Sequence, residues 1–227
     1  MKKSRVTVGA VFVVSVLLAG AFIWMYLGTE PPKIETKTIY EDRGEIWAEV
    51  NTYPFNEAVQ KADLIAEITI VEELKELDDP SPKTVFNAKV LNVLKGSKDL
   101  QDIQVMQMGN HAWAFNDNKL FEPNESYILF LKKAVGKEFE GTNTYWILGE
   151  ETYTYTVLDE KMVMKNADPL EELQDIENGE MTKKVNESKK VTLQTSLKSK
   201  HEIELSKEVQ ILEKEKFINK IKVLANK

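Results

Sequence analysis

The sequence predicts a mainly β domain, a small antiparallel barrel or sandwich with short flanking helices, placed behind one N-terminal transmembrane helix. Three observations predict it. Residues 6–28 carry no charge. Residues 64–164 read as six or seven short apolar runs separated by turn signals. The C-terminus returns to helical spacing, with Phe217, Ile218, Ile221, Leu224 and Ala225 on one face.

The uncharged run of 23 residues opens at Val6 and closes at Gly28. As a helix it measures about 35 Å, against a hydrocarbon core of roughly 30 Å. Lys2, Lys3 and Arg5 precede it, which favours a cytoplasmic N-terminus and export of the bulk of the chain across the cell membrane. Trp24 and Tyr26 fall where an outer aromatic belt lies. The rival reading is a cleaved signal peptide ending at Ala19-Gly20-Ala21. The apolar run continues through Phe22 to Leu27, so a retained anchor is expected. Leu18-Ala19-Gly20-Ala21 also resembles a bacterial lipoprotein box, with Ala21 where the lipidated cysteine stands. That difference leaves the helix as the anchor.

Composition excludes more than it selects. The chain has no cysteine, so disulfides, thiolate metal sites and thiol nucleophiles are ruled out. Two histidines argue against a multi-histidine metal centre. The net charge of −7 is unevenly spread: residues 29–182 carry 15 basic and 31 acidic side chains, residues 183–227 carry 12 and 6. An acidic body disfavours nucleic acid. The basic tail can fold back on that body or reach an anionic surface.

The elements follow in order. Pro31-Pro32 begins an extended juxtamembrane linker over 29–50, with a short strand near 46–50. Residues 54–62 read as a helix, with Phe55, Ala58, Val59 and Ala62 at helical spacing. Strands are expected over 64–71 and 84–94. In the second, Phe86, Ala88 and Val90 share a face but Leu91 and Val93 fall on the other, which predicts a bulge. Residues 103–108 form a third strand. The continuous run Tyr127-Ile128-Leu129-Phe130-Leu131 should be a central strand. Residues 145–148, 153–158 and 162–164 complete the set, the last two across Asp159-Glu160. Residues 177–200 are polar and read as a long loop or mobile segment. The expected organisation is a cytoplasmic stub and transmembrane helix (1–28), linker (29–50), β-barrel domain (51–165), polar, partly mobile segment (166–205) and C-terminal amphipathic helix packing on the barrel (206–227).

Three stretches carry a resemblance. Ala62-Asp63-Leu64-Ile65, then Val90-Leu91-Asn92-Val93-Leu94-Lys95-Gly96, then Phe121-Glu122-Pro123-Asn124-Glu125-Ser126-Tyr127-Ile128-Leu129-Phe130-Leu131 resemble a broad group of exported, membrane-anchored or lipoprotein bacterial domains. The closing stretch 212–221 is similar to that group's last helix. The resemblance implies an OB-like or tissue-inhibitor-like β-barrel. It implies no substrate and no catalytic residue. Asn124 stands where the group's pattern prefers glycine, and asparagine also tolerates a left-handed turn.

Candidate functional residues are few. Trp113, Phe115, Trp146, Tyr153 and Tyr155, with Tyr127, are candidates for a ligand groove on a barrel face; the plainer alternative places them in the core. His111 is a lone loop histidine, and His201 lies among charged residues. Asn116-Asp117-Asn118 with Glu122 is a faint calcium pattern. No nucleophile elbow, phosphate loop or tuned carboxylate pair is visible, so no catalytic residue, metal or cofactor is assigned. The expected function is a non-catalytic, membrane-anchored extracytoplasmic module with a protein partner or surface ligand. The alternatives are an envelope enzyme or enzyme subunit, and an assembly factor contacting wall polymer or anionic lipid through its basic tail.

Overall fold

The computed structural model describes residues 43–194 and 200–227. The expected anchor, with Val6, Trp24, Tyr26 and Gly28, lies outside the described residues. No helix among the described residues is long and apolar enough to cross a membrane.

The described chain opens with strand β1 (Gly44–Ile46) and helix α1 (Phe55–Lys61). A long hairpin follows, β2 (Leu64–Leu77) and β3 (Lys83–Lys95), then β4 (Asp102–Met108), β5 (Trp113–Phe115), β6 (Ser126–Lys133) and β7 (Thr144–Ile147). Five of these close a β-barrel. Strand β3 pairs antiparallel with β2 and β4, β4 runs parallel to β7, β7 pairs antiparallel with β6, and β6 returns to β2. Barrel and sandwich were both open from the sequence; ring closure selects the barrel. The expected strand near 46–50 lies slightly earlier, as β1, and pairs in parallel with β5.

Strand β6 pairs on both edges. One edge meets β2 from Tyr127 to Leu131. The other is divided: Leu131–Lys133 pair with β7, and Tyr127–Leu129 pair with β8 (Thr154–Val157). Strand β9 (Met162–Lys165) pairs with β8, so the sheet runs on beyond the barrel. Both faces of β6 are covered, which explains its unbroken apolar sequence. Leu129 and Leu131 alternate with Ile128 and Phe130, and all four are fully buried. Ile128 and Phe130 join Ile65, Phe55, Ala58 and Val59 in a layer outside the barrel.

The hairpin β2–β3 bends as its sequence predicts. Glu67 faces Asn92 while Ile68 faces Val90, which leaves Leu91 as the bulge residue.

The polar stretch 177–200 is not a long loop. It contains helix α2 (Gly179–Ser188) and strand β10 (Lys190–Gln194), which pairs with β11 (Lys200–Glu204). Asn178 caps α2 by accepting from the Met181 N–H. Val185, Val191 and Leu193 are buried against Leu158, Met164 and Ile211. These are too few apolar residues to show a period, and tertiary contacts supply the stability that propensity lacks. Strand β12 (Gln210–Glu213) then pairs with β9, and α3 (Lys214–Ala225) closes the chain. Phe217 and Ile221 are fully buried in the outer layer. Lys214 Nζ lies 2.6 Å from Glu67 Oε1, a largely buried ion pair that ties α3 to the barrel.

Helix α1 depends on two side chains from elsewhere. Glu172 Oε1 accepts from the Phe55 N–H at 3.1 Å, at the helix N-terminus. Lys95 Nζ donates to the carbonyls of Val59, Gln60 and Ala62 at 2.6–2.8 Å, at its C-terminus. Lys95→Met strands those carbonyls and lowers the stability of the domain by about 1–2 kcal/mol in chemical denaturation. An unchanged midpoint contradicts this capping role.

Candidate functional site

The five candidate groove aromatics do not line one groove. Tyr153 and Tyr155 are fully buried in the outer layer. Tyr153 stacks on Phe130 at 5.6 Å and Tyr155 meets Phe217 at 4.4 Å between ring centroids. Phe115 is buried in β5, and Trp113 lies against Gly44, where any Cβ would sit 2.5 Å from its ring. Trp146 is half-buried elsewhere, beside Val85, Met106 and Ala134. Alternation put these residues on strands, but both faces of the central strands are covered, so Phe115, Tyr153 and Tyr155 are buried while Trp113 is exposed.

The structure instead forms a half-enclosed cavity of about 140 Å³ between the barrel, the outer sheet and the segment joining β11 to β12. Tyr127 lines it, the one aromatic of the original set to do so, with Phe121 beside it at 4.5 Å. Four glutamates line it: Glu125, Glu150, Glu151 and Glu204.

Local backbone geometry places Glu125 and Glu150. Pro123-Asn124 forms a turn closed by Glu125 N–H to Glu122 O at 3.2 Å, with Asn124 at φ 70°. Asparagine thus supplies the left-handed turn expected of it. The turn docks on β2, where the Ile70 N–H donates to Glu125 O at 2.9 Å and the Asn124 N–H to Ile70 O at 2.8 Å. Gln107 pins the preceding loop, donating to Lys119 O and accepting from the Phe121 N–H. Glu150 follows Gly149, and both are left-handed, at φ 47° and 64°. That conformation is costly for glutamate, and strain of this kind concentrates at functional sites.

The charges are unevenly matched. Lys119 pairs with Glu122 at 2.6 Å and Lys207 with Glu151 at 3.0 Å. No lysine or arginine among the described residues forms an ion pair with Glu125 or Glu150. Glu125 is 6% exposed; its Oε2 accepts from the Tyr127 hydroxyl, and its Oε1 is buried with no partner. Burial pushes the Glu125 carboxyl above the ordinary range, against the Tyr127 hydrogen bond. Burial pushes Glu150 up to about 8, against one long hydrogen bond from the Met108 N–H at 3.4 Å. Burial also raises Glu151, countered by Lys207. Desolvation therefore favours the neutral carboxylic acid form of Glu150 near neutral pH. Outside the cavity, burial lowers Lys165 on β9 to about 8, against Asp168 and Glu151.

No protein-family model matches this chain, and no curated protein matches it either. The site must be read from its own geometry.

His111 is not alone. Its Nδ1 lies 2.6 Å from Glu76 Oε1 and its Nε2 lies 3.7 Å from Glu73 Oε2. Partial burial raises Glu76, but hydrogen bonds from the His111 backbone and ring outweigh it and hold this carboxyl below the ordinary range. Each ring nitrogen faces a carboxylate on the exposed β2 extension, and the three side chains lie close enough together to hold a metal ion, although exposed acidic groups are common without one. The Asn116-Asp117-Asn118-Glu122 pattern gathers no metal-ligand cluster among the described residues. Asn118 instead accepts from the Phe115 N–H and donates to Met108 O, Asn116 bridges to Ala48, and Glu122 binds Lys119. The tail lysines are partly neutralised: Lys190 lies 2.8 Å from Glu202, and Lys183 3.9 Å from Glu187.

Sequence reasoning missed the cavity because its walls come from segments between Gln107 and Val209. The one local signal was Gly149 before two acidic residues.

Glu150 also makes stability depend on pH. Its folded value, about 8, lies above the ordinary glutamate value of 4.5, so the folded state binds the extra proton between them. Stability therefore falls as pH rises from about 4.5 to about 8. Glu150→Gln flattens that stretch of the profile and gains about 2 kcal/mol at pH 8.5, roughly 4–8 °C in melting temperature. Identical pH profiles for the two proteins contradict the assignment.

Proposed function

We propose that this chain is a membrane-tethered extracytoplasmic binding module. Its barrel is OB-like, and its ligand occupies the cavity bearing Glu125 and Glu150. The observation that carries the ligand site is a carboxylate that lines the cavity, Glu125, whose Oε1 is buried without a hydrogen-bond partner. Leaving a buried polar atom unpaired is costly, and an evolved site offsets that cost with a ligand. The strained Glu150 beside it supports the same reading.

The OB-like reading is supported by strand order. Taken in chain order, the barrel strands are arranged first, second, third, fifth, fourth, and the third and fifth are parallel. The tether rests on the uncharged run 6–28 behind three cationic residues. A tether confines the module to the membrane surface and raises its effective concentration there. The enzyme alternative draws on the same cavity, where a neutral Glu150 has the protonation state of a general acid.

Two measurements test the proposal. Ligand-observed NMR of the full chain in detergent with a mixture of small fragments yields hits that are lost in Leu120→Trp, which fills the cavity. No hits, or hits that survive the substitution, contradict the site. Carbonate-washed membranes retain the full chain, and protease added to intact cells degrades the domain. A chain recovered from the cytosolic fraction contradicts the tether.

A further inference from the structure

Resting on the cavity reading above, we infer that the ligand is a small organic cation: an ammonium group carried on an apolar body, bound in exchange for a proton. Three independent features point to this class.

The first is unmatched acidity. Around the cavity the charged groups are Asp117, Lys119, Glu125, Glu151, Glu204 and Lys207, with Glu150 half-buried at the wall. Both lysines are engaged, by Glu122 and Glu151. Neither Glu125 nor Glu150 forms an ion pair among the described residues, and the charge of Lys119 that reaches Glu125 is shared with Glu122, so a ligand that completes the site supplies the further positive charge.

The second is the wall chemistry. Phe121 and Tyr127 present aromatic surface next to the free oxygen of Glu125, the pairing that favours ammonium groups through ring quadrupole and ion pairing together. Leu120, Ile147, Met164 and Val209 supply the apolar remainder. The volume, about 140 Å³, is in the class that accommodates a single benzene-sized ring.

The third is the field. The excess of acidic over basic side chains in residues 29–182 draws cations toward the domain and repels anions.

The proton balance follows. In the free protein desolvation favours the protonated form of Glu150. A cation bound beside it stabilises the carboxylate, so the proton leaves to solvent and one positive charge replaces another. Binding therefore strengthens as pH rises toward the free-state value of Glu150.

Isothermal titration of the full chain in detergent tests this with benzylammonium, its uncharged isostere benzyl alcohol, and benzoate. Benzylammonium binds, and its Kd falls about tenfold between about pH 6.5 and pH 8. Benzyl alcohol binds at least tenfold more weakly and without pH dependence, and benzoate does not bind. Glu125→Gln weakens benzylammonium at least tenfold, Glu150→Gln abolishes the pH dependence, and the exposed control Glu138→Gln changes neither. Thermal melts of each variant separate loss of binding from loss of fold. Benzyl alcohol or benzoate binding as tightly as benzylammonium overturns the cation class and leaves the cavity reading standing, as does a benzylammonium Kd that ignores pH. Failure of all three probes, together with absence of fragment hits, overturns both.

Discussion

Everything in this domain hangs on strand β6 being bonded along both edges and buried on both faces. Its edge toward β2 is continuous, but its other edge is shared between two strands. The half that meets β7 closes the barrel. The half that meets β8 starts the outer sheet that β9 and β12 extend. A strand with water on either face could not do this, because the unbroken run from Tyr127 to Leu131 would expose apolar surface at roughly 25 cal/mol per Å². The sequence pattern and the branching of the sheet are thus one fact.

Branching also creates the cavity. Where the outer sheet leaves the barrel, Thr154 and Thr156 of β8 stand beside Gln107 of β4 and the loop that carries Glu125. The segment between β11 and β12 covers the gap, held by the Lys207–Glu151 pair. A fold under selection for stability alone would fill such a gap with apolar side chains. Here it holds two carboxyl groups that form no ion pair among the described residues, one of them on strained backbone. That costs stability, and a ligand that supplies the missing charge offsets the cost. The exposed His111–Glu73–Glu76 cluster differs, because its groups stand at the surface, where water solvates them.

The elements with strong periods were legible. Helix α1, the hairpin β2–β3 with its bulge at Leu91, the central strand β6, the β8–β9 hairpin and helix α3 all carry enough apolar residues to declare their spacing. What was not legible was held by tertiary contact. Helix α2 and the β10–β11 pair rest on three buried side chains, Val185, Val191 and Leu193. The aromatics Tyr153 and Tyr155 looked like groove residues because a strand pattern does not say whether a second layer covers its outer face. The cavity was the least legible feature. Glu150 reads as one of two ordinary acidic residues after a glycine, and only the fold shows that it is desolvated without an ion pair while its neighbour Glu151 finds a lysine.

The claim on which the functional account rests is that Glu150 stays protonated in the free cavity at neutral pH. Carbon-detected NMR of the full chain, labelled at glutamate side-chain carboxyls and assigned with Glu150→Gln, reads that state directly. The account predicts one carboxyl resonance that titrates near the value of about 8 given by its burial, well apart from the surface glutamates. If the resonance lost in Glu150→Gln titrates with the surface glutamates instead, Glu150 is an ordinary ionised carboxylate. The proton-for-cation account then fails.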